Sequence, residues 1–279
     1  MSLAARTPRA PVVLPLAALA VGVAVWWLLS IALALPAYVL PPPTAVADRL
    51  VANPDLYVAS ALTTLRRIVL GGAVGVLVGA ALAVAVVEVR WLRRALVPYL
   101  VAARVLPKIA VAPVLLIYVG TGEGTGIAFV ALVAFFPMVV STVAGLEGVP
   151  EAHMDLLRSL DAGRLATLVH LRVPHAVPDA FAGLKQSTAL AVVGSVIAEW
   201  LVSTEGLGAL ILFALEDVQV DVMLAALAVL FAEGLALYGL VVAAERRVGW
   251  SQTGGAPGPG QDRSDAAAAD RRSSQTGAR

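Results

Sequence analysis

Long, uninterrupted runs of apolar residues dominate this chain, and short polar segments separate them. The first run extends from Val12 to Leu35, and Pro36 and Pro41 prevent its helix from continuing. The later runs are Thr64 to Val87, Leu96 to Val119, Ile127 to Leu146, Ala180 to Val202 and Val222 to Ala244. Runs of about 18 or more apolar residues can cross a bilayer as helices, and the first run is longer than the roughly 7–15 apolar residues of a signal peptide. The pattern predicts an all-α integral membrane protein with about six transmembrane helices.

The composition agrees with a membrane protein and excludes several kinds of chemistry. Hydrophobic residues make up 59% of the 279 residues and charged residues 14%, against about 25% charged residues in soluble domains. Cysteine is absent, which excludes disulfides and thiolate catalysis. The three histidines lack the spacing of a zinc helix, and the sequence contains neither a P-loop nor a GxSxG motif. We therefore predict no catalytic residue, no metal site and no bound cofactor, and the net charge of +1 does not indicate a nucleic-acid partner.

Basic residues in the polar segments predict the orientation of the helices. Clusters of arginine follow the second, fourth and last runs: Arg90, Arg93 and Arg94; Arg158, Arg164 and Arg172; Arg246 and Arg247. Segments 120–126 and 203–221 contain acidic residues and no lysine or arginine. Because Lys and Arg concentrate in cytoplasmic loops, we expect both termini and residues 147–179 in the cytoplasm. Arg49, Arg66 and Arg67 lie on the opposite side and count against this orientation without overturning it.

The C-terminal segment differs from the rest of the chain. Residues 251–279 are Gly, Ala, Ser, Pro and mixed charges, a composition that buries too little apolar surface to offset the entropy of ordering. We predict a membrane domain over residues 1–250 and a disordered cytoplasmic tail after it.

Small residues recur every four positions in the second run, at Gly71, Gly75, Gly79 and Ala83. Such a stripe lets helix backbones approach closely in lipid. We favour packing within one subunit over a dedicated dimer interface.

Five polar or charged residues inside the apolar runs are candidates for a transport pathway: Arg104, Lys108, Thr188, Ser195 and Glu199. Arg104 and Lys108 are four residues apart and would share a helical face beside Pro107. Charges at membrane depth usually face a bundle interior or a water-filled path, but these two are equally compatible with side chains that extend to the membrane boundary. Thr188, Ser195 and Glu199 would form one stripe, which either lines a polar cavity, as we favour, or bonds to a neighbouring helix.

The longest polar segment before the tail extends from Asp155 to Phe181. Pro150 and Glu151 suit the first turn of a helix, and Met154, Leu157 and Leu160 form an apolar stripe at helical spacing. Residues 161–163 would break this helix, a second would extend to about 172, and the prolines at 174 and 178 would end it. We predict two short helices at the membrane surface with apolar side chains available to a partner.

This segment resembles the coupling loop of the permease subunits of binding-protein-dependent ABC importers. That loop has the form EAA, three residues, Gly, nine residues, Ile-x-Leu-Pro. The corresponding residues are Asp155-Leu156-Leu157, Asp161 and Leu171-Arg172-Val173-Pro174, so that aspartate replaces the family's glycine. The sequences "LPPPTAV", "RVLPKIAVAPVLLIYVG" and "EWLVSTEGLGALI" also resemble this family, in particular the branch that transports nitrate, sulfonates, taurine and pyrimidine precursors.

The resemblance implies a function for the loop. In such permeases, coupling helices dock on separate ATPase subunits, which bind ATP and magnesium, and transmit the movement that alternates access to a pathway for a small organic or anionic solute. The residues that would contact the ATPase are Met154, Asp155, Leu156, Leu157, Ser159, Leu160, Asp161, Ala162, Gly163 and Pro174. Either Asp161 adopts the left-handed conformation of the family's glycine, or Gly163 forms the bend.

The resemblance also implies partners and a location. We expect a second permease copy in a homodimer, an extracytoplasmic substrate-binding protein, surrounding lipid, and the plasma membrane of a prokaryote. One alternative is a secondary transporter or channel without an ATPase, which would leave the loop unexplained. Another is an intramembrane enzyme, for which only Glu199 is a candidate residue.

Overall fold

The computed structural model describes residues 10–33, 36–102, 105 and 107–248, and throughout these residues the regular structure is helical. The predicted tail, residues 251–279, lies outside the described part. The α-helices are α1 (Ala10–Ala32), α2 (Pro43–Ala52), α3 (Pro54–Glu88), α4 (Arg90–Ala102), α5 (Ala112–Val119), α6 (Glu123–Glu147), α7 (Glu151–Ser159), α8 (Arg164–Thr167), α9 (Val173–Val202), α10 (Leu207–Glu216) and α11 (Val220–Val248). A 3-10 helix (Lys108–Val111) precedes α5, and a π-helical turn (Leu168–Arg172) connects α8 to α9.

Five helical segments of the described residues are long and apolar enough to cross a membrane. They contain α1, α3, α6, the continuous stretch Arg164–Val202, and α11. The prediction of one continuous helix over Leu96 to Val119 is wrong. Pro107 is extended and Lys108 begins a 3-10 helix, because proline has no N–H to donate and its ring clashes with a helical carbonyl. The third apolar run therefore forms separate short helices, α4 and α5.

Two further sequence predictions need correction. Pro174 and Pro178 do not end a helix: the chain stays helical from Arg164 through the π-helical turn Leu168–Arg172 and past both prolines to Val202. A π-helical turn is one of the irregularities that accompany proline within a helix. Segment 203–221, predicted as a loop, contains α10. Leu207 of α10 packs in a buried apolar cluster with Tyr57 of α3 and Leu230 of α11.

Close packing of α3, α6 and α9 forms the centre of the bundle. The small-residue stripe on α3 lies against α6: a Cβ added at Gly71 would be 2.7 Å from the Val130 Cβ, and one at Gly79 would be 2.9 Å from the Phe135 carbonyl oxygen. On the other side of α6, a Cβ at Gly183 of α9 would be 2.8 Å from the Ser141 Cβ. The stripe therefore serves helix packing within one subunit, as the sequence favoured.

Gly75→Ala should destabilise the bundle by about 1–3 kcal/mol, as overpacking of a tight contact does. The added methyl group would overlap the Ala131 carbonyl oxygen and lie 3.1 Å from the Ala131 Cα, and neither backbone atom can rotate away. The matched control is Gly72→Ala on the same helix, whose methyl group meets only the Ala191 Cβ at 3.7 Å. Thermal unfolding of both variants in one detergent tests this. Equal melting temperatures would contradict the account of α3–α6 packing.

Ion pairs divide the bundle into two ends. At one end, Arg49 Nε lies 2.7 Å from Asp221 Oδ2, and Arg66 Nε lies 3.2 Å from Glu123 Oε1. The hydrogen bond to the Asp221 carboxylate raises the pKa of the Arg49 guanidinium above its usual value. At the other end, the ion pairs are Arg93–Glu147, Arg172–Glu88 and Lys185–Glu245. Arg49 and Arg66, two of the residues that counted against the predicted orientation, thus pair with acidic residues from distant parts of the chain.

Candidate functional site

The segment between α6 and α9 forms two helices joined by a tight bend, as the sequence predicts. Helix α7 ends with its backbone folded back on itself: the Ala162 N–H donates to the Leu157 carbonyl at 3.0 Å, and the Asp161 N–H donates to the Arg158 carbonyl at 3.1 Å. This pair of bonds is the Schellman motif, which places the residue after the C-cap in the left-handed region. That residue is Asp161, with φ 51°. Gly163 has φ −66° and precedes α8 as an extended residue, so Asp161 alone forms the left-handed bend.

Apolar side chains on this segment face outward. Leu156 is 57% exposed, Leu160 is 67% exposed and Leu165 is 73% exposed. Met154 and Leu157, which the sequence grouped with Leu160, are half-buried. These three leucines are the most exposed large apolar side chains of the segment, and Leu156, Leu160 and Leu165 are named here the leucine surface.

Polar groups of α7 bond within the helix. Arg158 Nη1 lies 2.8 Å from Asp155 Oδ1, and the Ser159 hydroxyl donates to the Leu156 carbonyl at 2.7 Å. Ala162 and Met154 line a surface cavity. Of the ten predicted contact residues, Pro174 lies apart from these, in the first turn of α9, and the π-helical turn connects it rigidly to α8.

Glu199, which is 0% exposed, is the centre of a buried hydrogen-bond network in the membrane core. Its carboxylate accepts hydrogen bonds from Arg67 Nη1 at 2.7 Å, from the Thr64 hydroxyl at 2.9 Å and from the Gly208 N–H at 2.6 Å. The Thr64 hydroxyl in turn accepts from the Leu207 N–H at 2.9 Å. Glu199 therefore bonds to neighbouring helices, and this network joins α3, α9 and α10.

The other predicted pathway residues have different surroundings. Thr188 borders an apolar cavity of about 230 Å³ between α3, α9 and α11. The Ser195 side chain is buried and donates to the Val192 carbonyl of its own helix at 2.8 Å. Lys108 Nζ lies 5.5 Å from the centre of the Phe136 ring. Arg104, which was predicted to share a helical face with Lys108, lies outside the described residues.

Comparison with known proteins identifies the family. Residues 75–250 match the family model described as "Binding-protein-dependent transport system inner membrane component".

This chain belongs to that family of ABC transporter permeases.

Curated relatives agree over most of the permease. It is 33% identical over 224 residues to a "Probable ABC transporter permease protein" of Haemophilus influenzae, which covers 80% of this chain and 91% of the relative. It is 31% identical to the "Riboflavin transport system permease protein RibX" of Chloroflexus aurantiacus, over 80% of this chain and 84% of the relative. It is 30% identical to the "Taurine transport system permease protein TauC" of Escherichia coli, over 78% of this chain and 82% of the relative. Other relatives are named as permeases for formylaminopyrimidine, aliphatic sulfonates and nitrate, which together with the taurine permease supports the resemblance to the nitrate, sulfonate, taurine and pyrimidine-precursor branch.

A solved structure confirms the fold. The permease superposes with a TM-score of 0.59 on a chain of "Crystal structure of an amino acid ABC transporter with histidines", at 17% identity, covering 71% of this chain and 97% of that one. The permease is thus a multi-pass protein of the plasma membrane, in a family whose members are in general non-catalytic subunits that work with ATPase and substrate-binding proteins.

Sequence reasoning missed two charged residues of the permease. Arg67 was treated as a boundary charge, yet it is 4% exposed and pairs with Glu199. Glu233 of α11 has both carboxylate oxygens buried with no hydrogen-bond partner among the described residues, beside the apolar side chains of Leu50 and Val229. An acidic residue inside the last apolar run was the available signal, since ionisable residues in membrane spans are candidates for function.

Asp161→Gly should keep the bend and raise stability by up to about 1 kcal/mol, because glycine adopts positive φ without the steric cost of a Cβ. Asp161→Val should lower stability by about 1–2 kcal/mol, since a β-branched side chain resists that conformation. Thermal unfolding and ATPase association of both variants test this. If glycine and valine impair association equally, the carboxylate makes a specific contact with the ATPase and the conformational account is wrong.

Proposed function

We propose that this permease forms the translocation pathway of an ATP-driven importer and couples it to a separate ATPase through residues 150–178. The leucine surface carries this proposal. Its three side chains are 57%, 67% and 73% exposed, and on the same segment Arg158 pairs with the neighbouring Asp155. Apolar side chains that face water on a loop are suited to an interface with a partner protein. Each one that is buried in the partner's cleft contributes roughly 1.5–3 kcal/mol to the free energy of association.

The geometry of the segment suits the transmission of force. The Schellman bend fixes α7 relative to α8, and the helix from Arg164 continues through the π-helical turn to Val202 in the membrane. A push on α7 would therefore act directly on α9 and, through the buried network at Glu199, on α3. The chain itself needs no catalytic group or cofactor for this role, since ATP and magnesium bind to the partner.

The assembly contains two permease copies, ATPase subunits and an extracytoplasmic binding protein. The solute is a small organic or anionic molecule, because the named relatives include transporters of riboflavin and taurine. Thr188, Lys108 and Arg104 border the pathway in this proposal. Ser195 and Glu199 support its wall from inside the bundle, where their hydrogen bonds hold neighbouring backbone and helices.

The proposed orientation has both termini and α7 in the cytoplasm and residues 203–206 outside. It requires six crossings, so the broken stretch from α4 to α5 crosses the membrane in addition to the five long segments, and the ion pairs Arg93–Glu147 before it and Arg66–Glu123 after it lie at opposite ends of the bundle. Single cysteines in this cysteine-free chain test it with a membrane-impermeant thiol reagent. In intact cells, Glu205→Cys should be labelled and Leu160→Cys should not, while both should react after permeabilisation. Labelling of Leu160→Cys in intact cells would contradict the orientation. Co-purification with an ATPase encoded in a neighbouring reading frame tests the partnership itself.

A further inference from the structure

A polar cavity of about 440 Å³ lies between the coupling segment and the junction of α3 and α4. Its charged lining is Glu88, Arg90, Arg93, Arg158, Arg164 and Arg172. The arginines come from different places in the fold: the start of α4, helix α7, the start of α8 and the π-helical turn. Five guanidinium groups around one concave surface would repel one another unless anions balance them.

Acidic residues of the chain balance only part of this charge. Arg93 Nε lies 2.9 Å from Glu147 Oε1, Arg158 Nη1 lies 2.8 Å from Asp155 Oδ1, and Arg172 Nη1 lies 3.3 Å from Glu88 Oε1. Arg90 and Arg164 have no ion-pair partner among the described residues. The cavity therefore has two uncompensated guanidinium groups, each able to bind a phosphate oxygen pair in bidentate geometry.

The position of the cavity indicates where an anion bound by these two guanidinium groups would come from. It adjoins the end of α3, one of the membrane-crossing helices, and the start of α4. Trp91, next to Arg90, is 71% exposed, and Tyr99 of the same helix is also exposed. Trp and Tyr concentrate at the headgroup level of a bilayer, and a basic amphipathic helix binds that region in the membrane plane. Basic pockets between helices on the cytoplasmic side bind anionic headgroups.

We infer that this cavity binds the phosphate headgroup of an anionic phospholipid from the cytoplasmic leaflet, held by Arg90 and Arg164. This inference rests on the proposed orientation, which places these residues on the cytoplasmic side. A phosphate between Arg90 of α4 and Arg164 of α8 would connect the coupling segment to the membrane-facing helix α4. The lipid would thereby stabilise one position of α7 relative to the bundle.

Binding of phosphatidylglycerol to the purified full-length permease, measured by native mass spectrometry, tests the inference. The double variant Arg90→Gln, Arg164→Gln should bind phosphatidylglycerol at least about tenfold more weakly than the wild type, whereas phosphatidylcholine should bind weakly to both. The matched control is Arg94→Gln, Arg247→Gln, which removes the same charge from exposed residues outside the cavity lining. This control should keep wild-type affinity, and thermal unfolding should show that both double variants are folded.

Other outcomes would overturn the inference. Equal weakening in both double variants would indicate a diffuse attraction to basic charge. If the wild type binds inorganic phosphate more tightly than the cavity variant does, and neither protein prefers phosphatidylglycerol to phosphatidylcholine, the ligand is free phosphate rather than a lipid headgroup. No lipid preference together with loss of ATPase association in the cavity variant would assign the arginines to an acidic surface of the ATPase. Because lipid binding is measured on the permease alone, its result is independent of whether the proposed ATPase coupling is correct.

Discussion

Glu199→Ala should lower the free energy of unfolding by roughly 3–5 kcal/mol, the usual effect of removing one partner from a buried ion pair. The guanidinium of Arg67, 4% exposed, would lose the carboxylate oxygen 2.7 Å away. The Gly208 N–H would lose its acceptor, and the Thr64 hydroxyl would lose the group that orients it toward the Leu207 N–H. Several buried donors would remain unsatisfied in one substitution. Thermal or denaturant unfolding of the purified permease measures the effect.

A control and a double variant separate the causes. Glu205→Ala, in the exposed loop at the same end of the bundle, should change stability by no more than about 0.5 kcal/mol. Arg67→Met combined with Glu199→Leu should recover much of the loss, because paired apolar substitutes for a buried ion pair are often neutral. If Glu199→Ala unfolds like the wild type but alters transport, Glu199 faces the pathway and the network described here is not its main role.

Leu160→Glu should weaken association with the ATPase at least about tenfold and should lower the rate of coupled transport by a similar factor. Leu160 is 67% exposed in the permease alone, so in the proposed docking role it becomes buried only in the complex. A charge in an apolar interface forfeits the burial of the leucine and adds the cost of desolvating a carboxylate, and about 1.4 kcal/mol suffices for a tenfold change. Membrane insertion and melting temperature should be almost unchanged, because the Leu160 side chain is largely exposed in the permease.

Val248→Glu is the control for this prediction. Val248 is an exposed apolar residue at the end of α11, on the same proposed side of the membrane and away from the leucine surface. It should leave association and transport unchanged. Association of Leu160→Glu at wild-type affinity would show that the leucine surface is not the docking surface. Leu156→Glu, which changes the neighbouring exposed leucine, should behave like Leu160→Glu.

Patterns that depend on local chemistry predicted much of this fold. The long apolar runs predicted α1, α3, α6, α9 and α11, although α3 begins at Pro54 rather than near Thr64. The four-residue recurrence of small residues predicted the close packing of α3, which the contacts of Gly71 confirm. The residue pattern of the polar segment predicted two short helices, which the structure has as α7 and α8. Its resemblance to a family motif allowed a left-handed Asp161, and the structure has φ 51° there.

Features that depend on distant parts of the chain could not be predicted in this way. Proline at 107 interrupts a helix, whereas Pro174 lies directly after a π-helical turn inside a continuous helical stretch, and no local pattern distinguishes the two. Leu160 is exposed while Leu157 is half-buried, so helical spacing alone does not decide which side chains of α7 face outward. The partner of Arg67 is 132 residues away in sequence, and no local pattern connects it to Glu199.

Site-specific cross-linking from position 160 tests the coupling role of the 150–178 segment most directly. The permease has no natural cysteine, so Leu160→Cys provides one defined attachment point for a short thiol-reactive photo-cross-linker. In membranes that contain the co-expressed ATPase, the account predicts a cross-linked permease–ATPase species from Leu160→Cys whose yield changes when ATP is added. Val248→Cys should give none. A cross-link to the ATPase from position 248 and none from position 160 would contradict the account.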